Sequence, residues 1–221
     1  MIEYLIDLDK TALLAVNGFH DVFQDTLWWL VSAKWTSALL VVALAWILVH
    51  KNRRHALLMV SMLVLAFALA DQLSSGLIKQ LVERLRPTHD PSLESAVHVI
   101  NGYRGGLYGF VSSHAANSFA ASTLVALVMR LRMVSFSLFM WALLQCYSRV
   151  YLGVHFPGDI IGGIAVGVVV GVAVYRLLLW IGRRWKVAPR HYVRSDGVVM
   201  LSAFAVTVFC IVAAALVQSV L

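Results

Sequence analysis

Charge is what this chain has least of. Asp, Glu, Lys and Arg make up 13% of its 221 residues, against about 25% in an average soluble domain, which excludes an ordinary water-soluble globular protein. Acidic residues are the scarcer sign, 11 against 18 Lys and Arg. Cysteine occurs twice, as Cys146 and Cys210, each inside an apolar run where a thiol is an ordinary small packing residue, so neither informs on redox compartment. Only four prolines are present; no Pro- or Ser-rich linker, low-complexity tract or solenoid repeat divides the chain, and a single domain over 1–221 is expected. The first residues carry Glu3, Asp7 and Asp9 in place of the basic start and small-residue cleavage site of a removable signal peptide. The apolar segments are therefore expected to belong to the mature protein.

Apolar sequence is what remains: 61% of the residues are hydrophobic and the mean hydropathy is +0.82. A spanning helix takes about 20 mostly apolar residues, and six segments near that length are predicted, at 27–49, 56–81, 111–129, 133–151, 157–181 and 197–221. In residues 1–23 the apolar Leu5, Ile6, Leu13, Val16, Phe19 and Phe23 recur near helical spacing, while Asp7, Asp9, Lys10 and Asn17 interrupt any continuous run. That pattern predicts an amphipathic helix in the interface. The expected fold is an all-α, integral membrane helical bundle. Trp28, Trp29, Trp35 and Trp185 near the segment ends are expected to be interfacial anchors.

A formal charge of +7 raises the question of nucleic acid. The cations are not spread over a soluble face: they cluster at Lys51, Arg53 and Arg54, at Arg130 and Arg132, and at Arg183, Arg184, Lys186, Arg190 and Arg194, each between two apolar segments. This is the positive-inside pattern of cytoplasmic loops, and no nucleic-acid partner is expected. With those clusters inside, both termini and the segments 86–111 and 149–157 face the other side. The one long connection, 88–110, contains Gly102, Gly105, Gly106 and Gly109 with Tyr103, Arg104 and Tyr108; long loops are often functional.

Three short stretches on that outer side carry chemistry. Lys79 and Arg86 lie seven residues apart before Pro87, which predicts a helix running to about Arg86 with both cations on one face, about 10 Å apart along the axis. They can converge on one anion, or each can snorkel to the headgroups. Ser112 or Ser113 is a natural N-cap for the next helix, whose free amides attract anions, with His114 placed to give a proton to a leaving oxygen; a plain cap beside an interfacial histidine is the alternative. His155 precedes Pro157, a first-turn residue, and Asp159 one turn later can fix its tautomer and leave the other ring nitrogen as nucleophile or base. Asp159 can equally be a simple first-turn cap. Topology brings all three stretches to one membrane face. There Lys79, Arg86 and Arg149 would neutralise a phosphate, amides near Ser112 to His114 would cradle it, and a histidine would remain on each side of the scissile bond.

At these residues the chain resembles the type 2 phosphatidic acid phosphatase (PAP2) superfamily, whose motifs run Lys-x6-Arg-Pro, Pro-Ser-Gly-His and Ser-Arg-x5-His-x3-Asp. Lys79, Arg86 and Pro87 fill the first; Ser112 and His114 fill two places of the second; Ser148, Arg149, His155 and Asp159 fill the third. Val111 stands for Pro and Ser113 for Gly in the second motif, a departure that bears on substrate preference more than on the reaction. The resemblance implies that His155 attacks phosphorus, Asp159 orients it, and His114 protonates the leaving group. It further implies that Lys79, Arg86, Ser112, Ser113 and Arg149 bind phosphate, with no metal or other cofactor required. Small size and short loops resemble bacterial members. The expectation is a multi-pass protein of the bacterial inner membrane, its site facing the periplasm or exterior and acting on a lipid phosphate, with undecaprenyl pyrophosphate and lipid A ahead of phosphatidylglycerol phosphate and phosphatidic acid. No obligate protein partner is expected.

Rival readings of the same residues are an anion or lipid transporter lined by Lys79, Arg86 and Arg149, a zinc hydrolase using His114, His155 and Asp159, and a phosphotransferase passing the phosphate to an acceptor lipid. Asp71, inside a span, is expected to bond polar groups on a neighbouring span. His89 and His98 are expected to be solvated, and Tyr103 with Arg104 is placed to grip a headgroup.

Overall fold

The computed structural model of the chain describes residues 2–50, 53–93, 95–184 and 191–220. Among these residues there is no strand, only an isolated bridge between Leu85 and Tyr108. The helices are α1 (Ile2–Asn17), α2 (Val22–Ser32), α3 (Ala38–Val49), α4 (Arg53–Asp71), α5 (Lys79–Val82), α6 (Ser113–Met129), α7 (Arg132–Tyr151), α8 (Pro157–Arg184) and α9 (Arg194–Val220). A π-helical segment, Gln72–Ile78, joins α4 to α5 without a break in direction.

The bundle is organised around α6, which packs against α4, α7 and α8. Its Ala115, Ala116, Ala120, Leu124 and Val125 are fully buried. The closest approach is to α8, where Gly163, Gly167 and Gly171 repeat every fourth residue and so share one face. A Cβ at Gly163 would lie 2.5 Å from the Ser112 carbonyl oxygen, and one at Gly171 would lie 2.7 Å from Thr123 Cβ. Only glycine permits this backbone contact, the small-residue packing that holds helices together where lipid removes the hydrophobic drive between them. Outward, large apolar side chains such as Leu57, Val64, Val169 and Phe209 are exposed, as a lipid-facing surface requires.

Among the described residues, three continuous helices are long and apolar enough to cross a membrane: His55–Val82, Pro157–Arg184 and Arg194–Val220. The segment predicted as one span at 27–49 is instead two helices bent by 63°, because Ala33 is extended and a 3-10 turn, Lys34–Ser37, intervenes. Taken as one broken span it makes a fourth. The segments predicted at 111–129 and 133–151 form α6 and α7, which do not meet the same length and apolarity test. α6 is 17 residues long and enclosed by its neighbours, so it needs no apolar outer face.

The predicted interfacial helix over 1–23 ends at Asn17, and Phe23 belongs to α2. Asn17, read as a polar interruption, is fully buried and donates to the carbonyls of His98 and Tyr151. α1 therefore packs on α7 and α8 through Leu13 and Asn17, while Tyr4, Leu5 and Leu8 stay exposed. Trp28 is no simple anchor either: it bonds Gln24 and packs on Tyr147 and Tyr151, and Trp29 meets the edge of Tyr103. Trp35 is exposed, and Trp185, with Lys51, Lys186 and Arg190, lies outside the described residues.

Candidate active site

His155 sits in the turn between α7 and α8, 1% exposed, and its Nδ1 is 3.2 Å from Asp159 Oδ2. Pro157 opens α8, and the helical turn that follows brings Asp159, fully buried, back to the imidazole and to the Phe156 amide, which donates to Oδ2 at 3.0 Å. Asp159 lies against Nδ1, and the imidazole also bonds the Gly109 backbone. Burial, followed by the charges of Arg86, Arg149 and Lys79, holds the His155 pKa well below the ordinary histidine value. The ring is therefore a neutral imidazole with an available lone pair at neutral pH.

Ser112 joins this turn to α6. Its amide donates to the Asp159 carbonyl at 2.9 Å, and its hydroxyl caps the helix by accepting from the Ala115 amide at 3.4 Å. His114 is in the first turn of α6, half-buried, within electrostatic reach of Arg149, His155, Arg86 and Lys79. The glycine seam between α6 and α8 thus sets the spacing between the two histidines.

The three cations arrive by different routes. Lys79, 9% exposed, donates to Ser113 Oγ at 2.6 Å; Ser113 Oγ also lies 2.7 Å from Ser75 Oγ, which in turn donates to Asp71 at 3.3 Å. Asp71 is accordingly partnered by its own helix, not by the neighbouring span expected for it. Arg86 is not on the helix of Lys79, as the spacing predicts: that helix stops at Val82, where Glu83 takes a left-handed φ of 50°, and Arg86 is extended before Pro87. The reversal folds the chain so that Arg86 donates to the carbonyls of Tyr108 at 3.1 Å and Val154 at 3.2 Å. Arg149, 2% exposed, donates to Ser32 Oγ and to Tyr103 Oη at 2.9 Å. Its Nε is buried with no hydrogen-bond partner among the described residues. A buried guanidinium donor left unmatched is costly in water-free surroundings unless an acceptor comes to it.

All eight residues singled out from sequence meet at one end of the bundle, where a neutral imidazole lies among three buried cations. Residues 55–183 match the PAP2 superfamily model. The chain belongs to the PAP2 superfamily. It is 36% identical over 192 residues to a lipid A 4'-phosphatase of Porphyromonas gingivalis, covering 86% of this chain and 81% of that one. It is likewise 36% identical over 169 residues to a lipid A 4'-phosphatase of Bacteroides thetaiotaomicron, covering 76% and 75%. The structure superposes on a PAP2-type phosphatidylglycerolphosphate phosphatase of Bacillus subtilis with a TM-score of 0.58 at 23% identity, over 84% of this chain and 88% of that one. This PAP2 protein is a membrane phosphoric-ester hydrolase.

Several residues at the site of this PAP2 hydrolase escape sequence reasoning. Arg84 donates to Asp159 at 3.1 Å and to Asp9 at 2.7 Å; its signal was its place inside the first motif, two residues before Arg86. Ser32 and Ser75 sit in runs with no distinguishing pattern. Tyr103, placed by sequence at a headgroup, instead accepts from Arg149, and Arg104 with Thr88 braces the outer loop. His98, expected to be solvated, bonds Asp25 at 2.8 Å and stacks on His20 at 3.8 Å; His89, also expected to be solvated, is half-buried with Nε2 3.5 Å from the Gly105 carbonyl. No three His, Cys, Asp or Glu side chains among the described residues come together as a metal-holding set.

Proposed function

We propose that the protein hydrolyses a phosphate ester of an envelope lipid, foremost a lipid A phosphate, at the extracytoplasmic face of the bacterial inner membrane through a phosphohistidine. The observation that carries this reading is the buried His155–Asp159 pair with Lys79, Arg86 and Arg149 around it. Three cations without direct carboxylate partners among the described residues suit a dianionic phosphoryl group, and the Arg149 Nε, unpaired among those residues, offers it a donor. Ser112 and Ser113, at the start of α6, would complete the cradle.

In the first step His155 Nε2 attacks phosphorus, the P–O bond to the lipid breaks, and His114 gives its proton to the departing oxygen. Asp159 stabilises the imidazolium that forms by accepting from Nδ1–H. In the second step water attacks the phosphohistidine, His114 takes the water proton, and the P–N bond breaks to release inorganic phosphate. Preference for lipid A over undecaprenyl pyrophosphate rests on the two relatives at 36% identity. An amphiphilic substrate is also favoured by a cavity of about 480 Å³ whose apolar wall of Ile6, Val82, Leu85, Phe110 and Phe156 is joined by Lys10, Arg84 and Asp90. The placement on the outer face is supported by the exposed Arg130, Arg132, Arg183 and Arg184 at the opposite end.

The test is phosphate release in detergent from lipid A, undecaprenyl pyrophosphate, phosphatidylglycerol phosphate and phosphatidic acid, with chelator present, by the parent and by His155→Ala. Release by the parent alone, fastest on lipid A, supports the reading. Equal release by both proteins removes His155 as nucleophile; loss in chelator favours a metal-dependent route; label appearing on an acceptor lipid favours transfer over hydrolysis.

A further inference from the structure

The buried carboxylate behind the nucleophile does not stand alone. Asp159 Oδ2 faces His155 and the Phe156 amide, and Oδ1 faces Arg84 Nη1 at 3.1 Å. Arg84 Nη2 then reaches Asp9 Oδ2 on α1 at 2.7 Å, and Asp9 Oδ1 accepts from the Gly158 amide at 2.7 Å. Gly158 is the neighbour of Asp159 in the chain, so the contacts close on themselves: α1, the Arg84 turn and the first turn of α8 are tied into one ring. The Arg84 guanidinium also lies 4.1 Å over the Phe156 ring, next to the nucleophile. Asp9 can come this close because Gly158 has no side chain; a Cβ there would lie 2.7 Å from Asp9 Oδ2.

We propose that Asp9 and Arg84 are positioning residues for the phosphoryl-transfer reaction, holding Asp159 in the orientation that fixes the His155 ring, and that α1 is thereby a working part of the active site. This rests on the phosphohistidine reading above. Neither side chain touches phosphorus; the pair acts through Asp159. A fork-shaped guanidinium is suited to the place because it spans two carboxylates with separate nitrogens, and Asp9 supplies the second anchor that keeps that fork from turning away from Asp159.

Asp9→Asn is the sharpest variant, since the amide oxygen can still accept from Gly158 while the charged contact to Arg84 is lost. We expect kcat to fall about tenfold in Asp9→Asn and roughly 10- to 100-fold in Arg84→Met, with KM within about twofold, the size of effect that a small misalignment of a reacting group produces. Arg84→Lys should recover only part of the loss. In the Arg84→Met background, Asp9→Asn should cost nothing further, because its route to Asp159 is already cut. A readout that does not depend on turnover is the imidazole 15N spectrum of His155: one tautomer in the parent, a mixture in either variant. Undiminished, additive losses in the double variant, a change in KM alone, or a parent-like imidazole spectrum in both variants would overturn the proposal. If the parent releases no phosphate, the phosphatase reading fails, while the imidazole spectrum still decides whether the pair positions His155.

Discussion

The two ends of the bundle carry the same kind of residue under opposite conditions. At one end Arg130, Arg132, Arg183, Arg184 and Arg194 are exposed; at the other, Lys79, Arg86 and Arg149 are each at most 9% exposed. Solvated guanidinium groups cost little to hold and bias which side of the membrane a loop occupies. A buried one is tolerated only if its donors are met, and here the partners are hydroxyls and carbonyls, Ser113, Ser32, Tyr103, Tyr108 and Val154. Neutral partners satisfy hydrogen bonds without cancelling charge. The exposed end therefore carries solvated charge, and the buried end keeps a net positive field.

The largest effect that would break this contrast is at Arg149. Arg149→Met is expected to lower kcat/KM by roughly 100- to 1000-fold, as loss of a preorganised charge-stabilising donor does, and Arg149→Lys should recover little because one ammonium cannot span Ser32, Tyr103 and a phosphate. Arg130→Ala at the opposite end is expected to stay within about twofold in the same phosphate-release assay. Equal losses at both ends would dissolve the distinction.

Next in size is the seam that holds the two histidines in register. Gly167→Val should destabilise by about 1–3 kcal/mol, because the added atoms meet the Ala116 backbone and Phe119. Gly106→Ala, with open space around it, should be close to neutral. Thermal unfolding in detergent, followed for both variants, checks the pair.

The smallest effect is on the pH dependence of stability. The folded-state pKa of His155 is held below its unfolded value of about 6.5, so the unfolded chain binds the extra proton first. That term is absent above about pH 7.5 and destabilises the fold progressively as pH falls below about 6.5. His155→Gln should flatten that part of the curve. Unfolding midpoints at about pH 7.5 and pH 5.5 measure the difference.

Much of this was legible in the chain because membrane burial imposes length and charge rules that act locally. Apolar runs, the basic clusters and the spacing of Lys79, Arg86, Ser112, His114, Arg149, His155 and Asp159 point to an all-α membrane phosphatase of the PAP2 type. Where the chain turns inside an apolar run was not legible. At the 63° break between α2 and α3, Gln145, Arg149 and Trp141 of a distant helix donate to Val31, Ser32 and Ser37, and the chain after the left-handed Glu83 bonds Leu107 and Gly109. The stripe Gly163, Gly167 and Gly171 was visible as a repeat, but only its contact with α6 shows that it sets the distance between the histidines.

Residue types and spacing by themselves determined the solvent, the helical class and the chemical groups available, since these follow from hydropathy, periodicity and side-chain chemistry along one segment. Only the tertiary structure decided which cations lose their water, which hydroxyls meet them, and that Asp9 of the first helix lies behind the His155–Asp159 pair. Those outcomes join residues up to 150 positions apart, as in the Arg84 link between Asp9 and Asp159, and no local pattern encodes a contact whose partners are brought together by packing of the whole bundle.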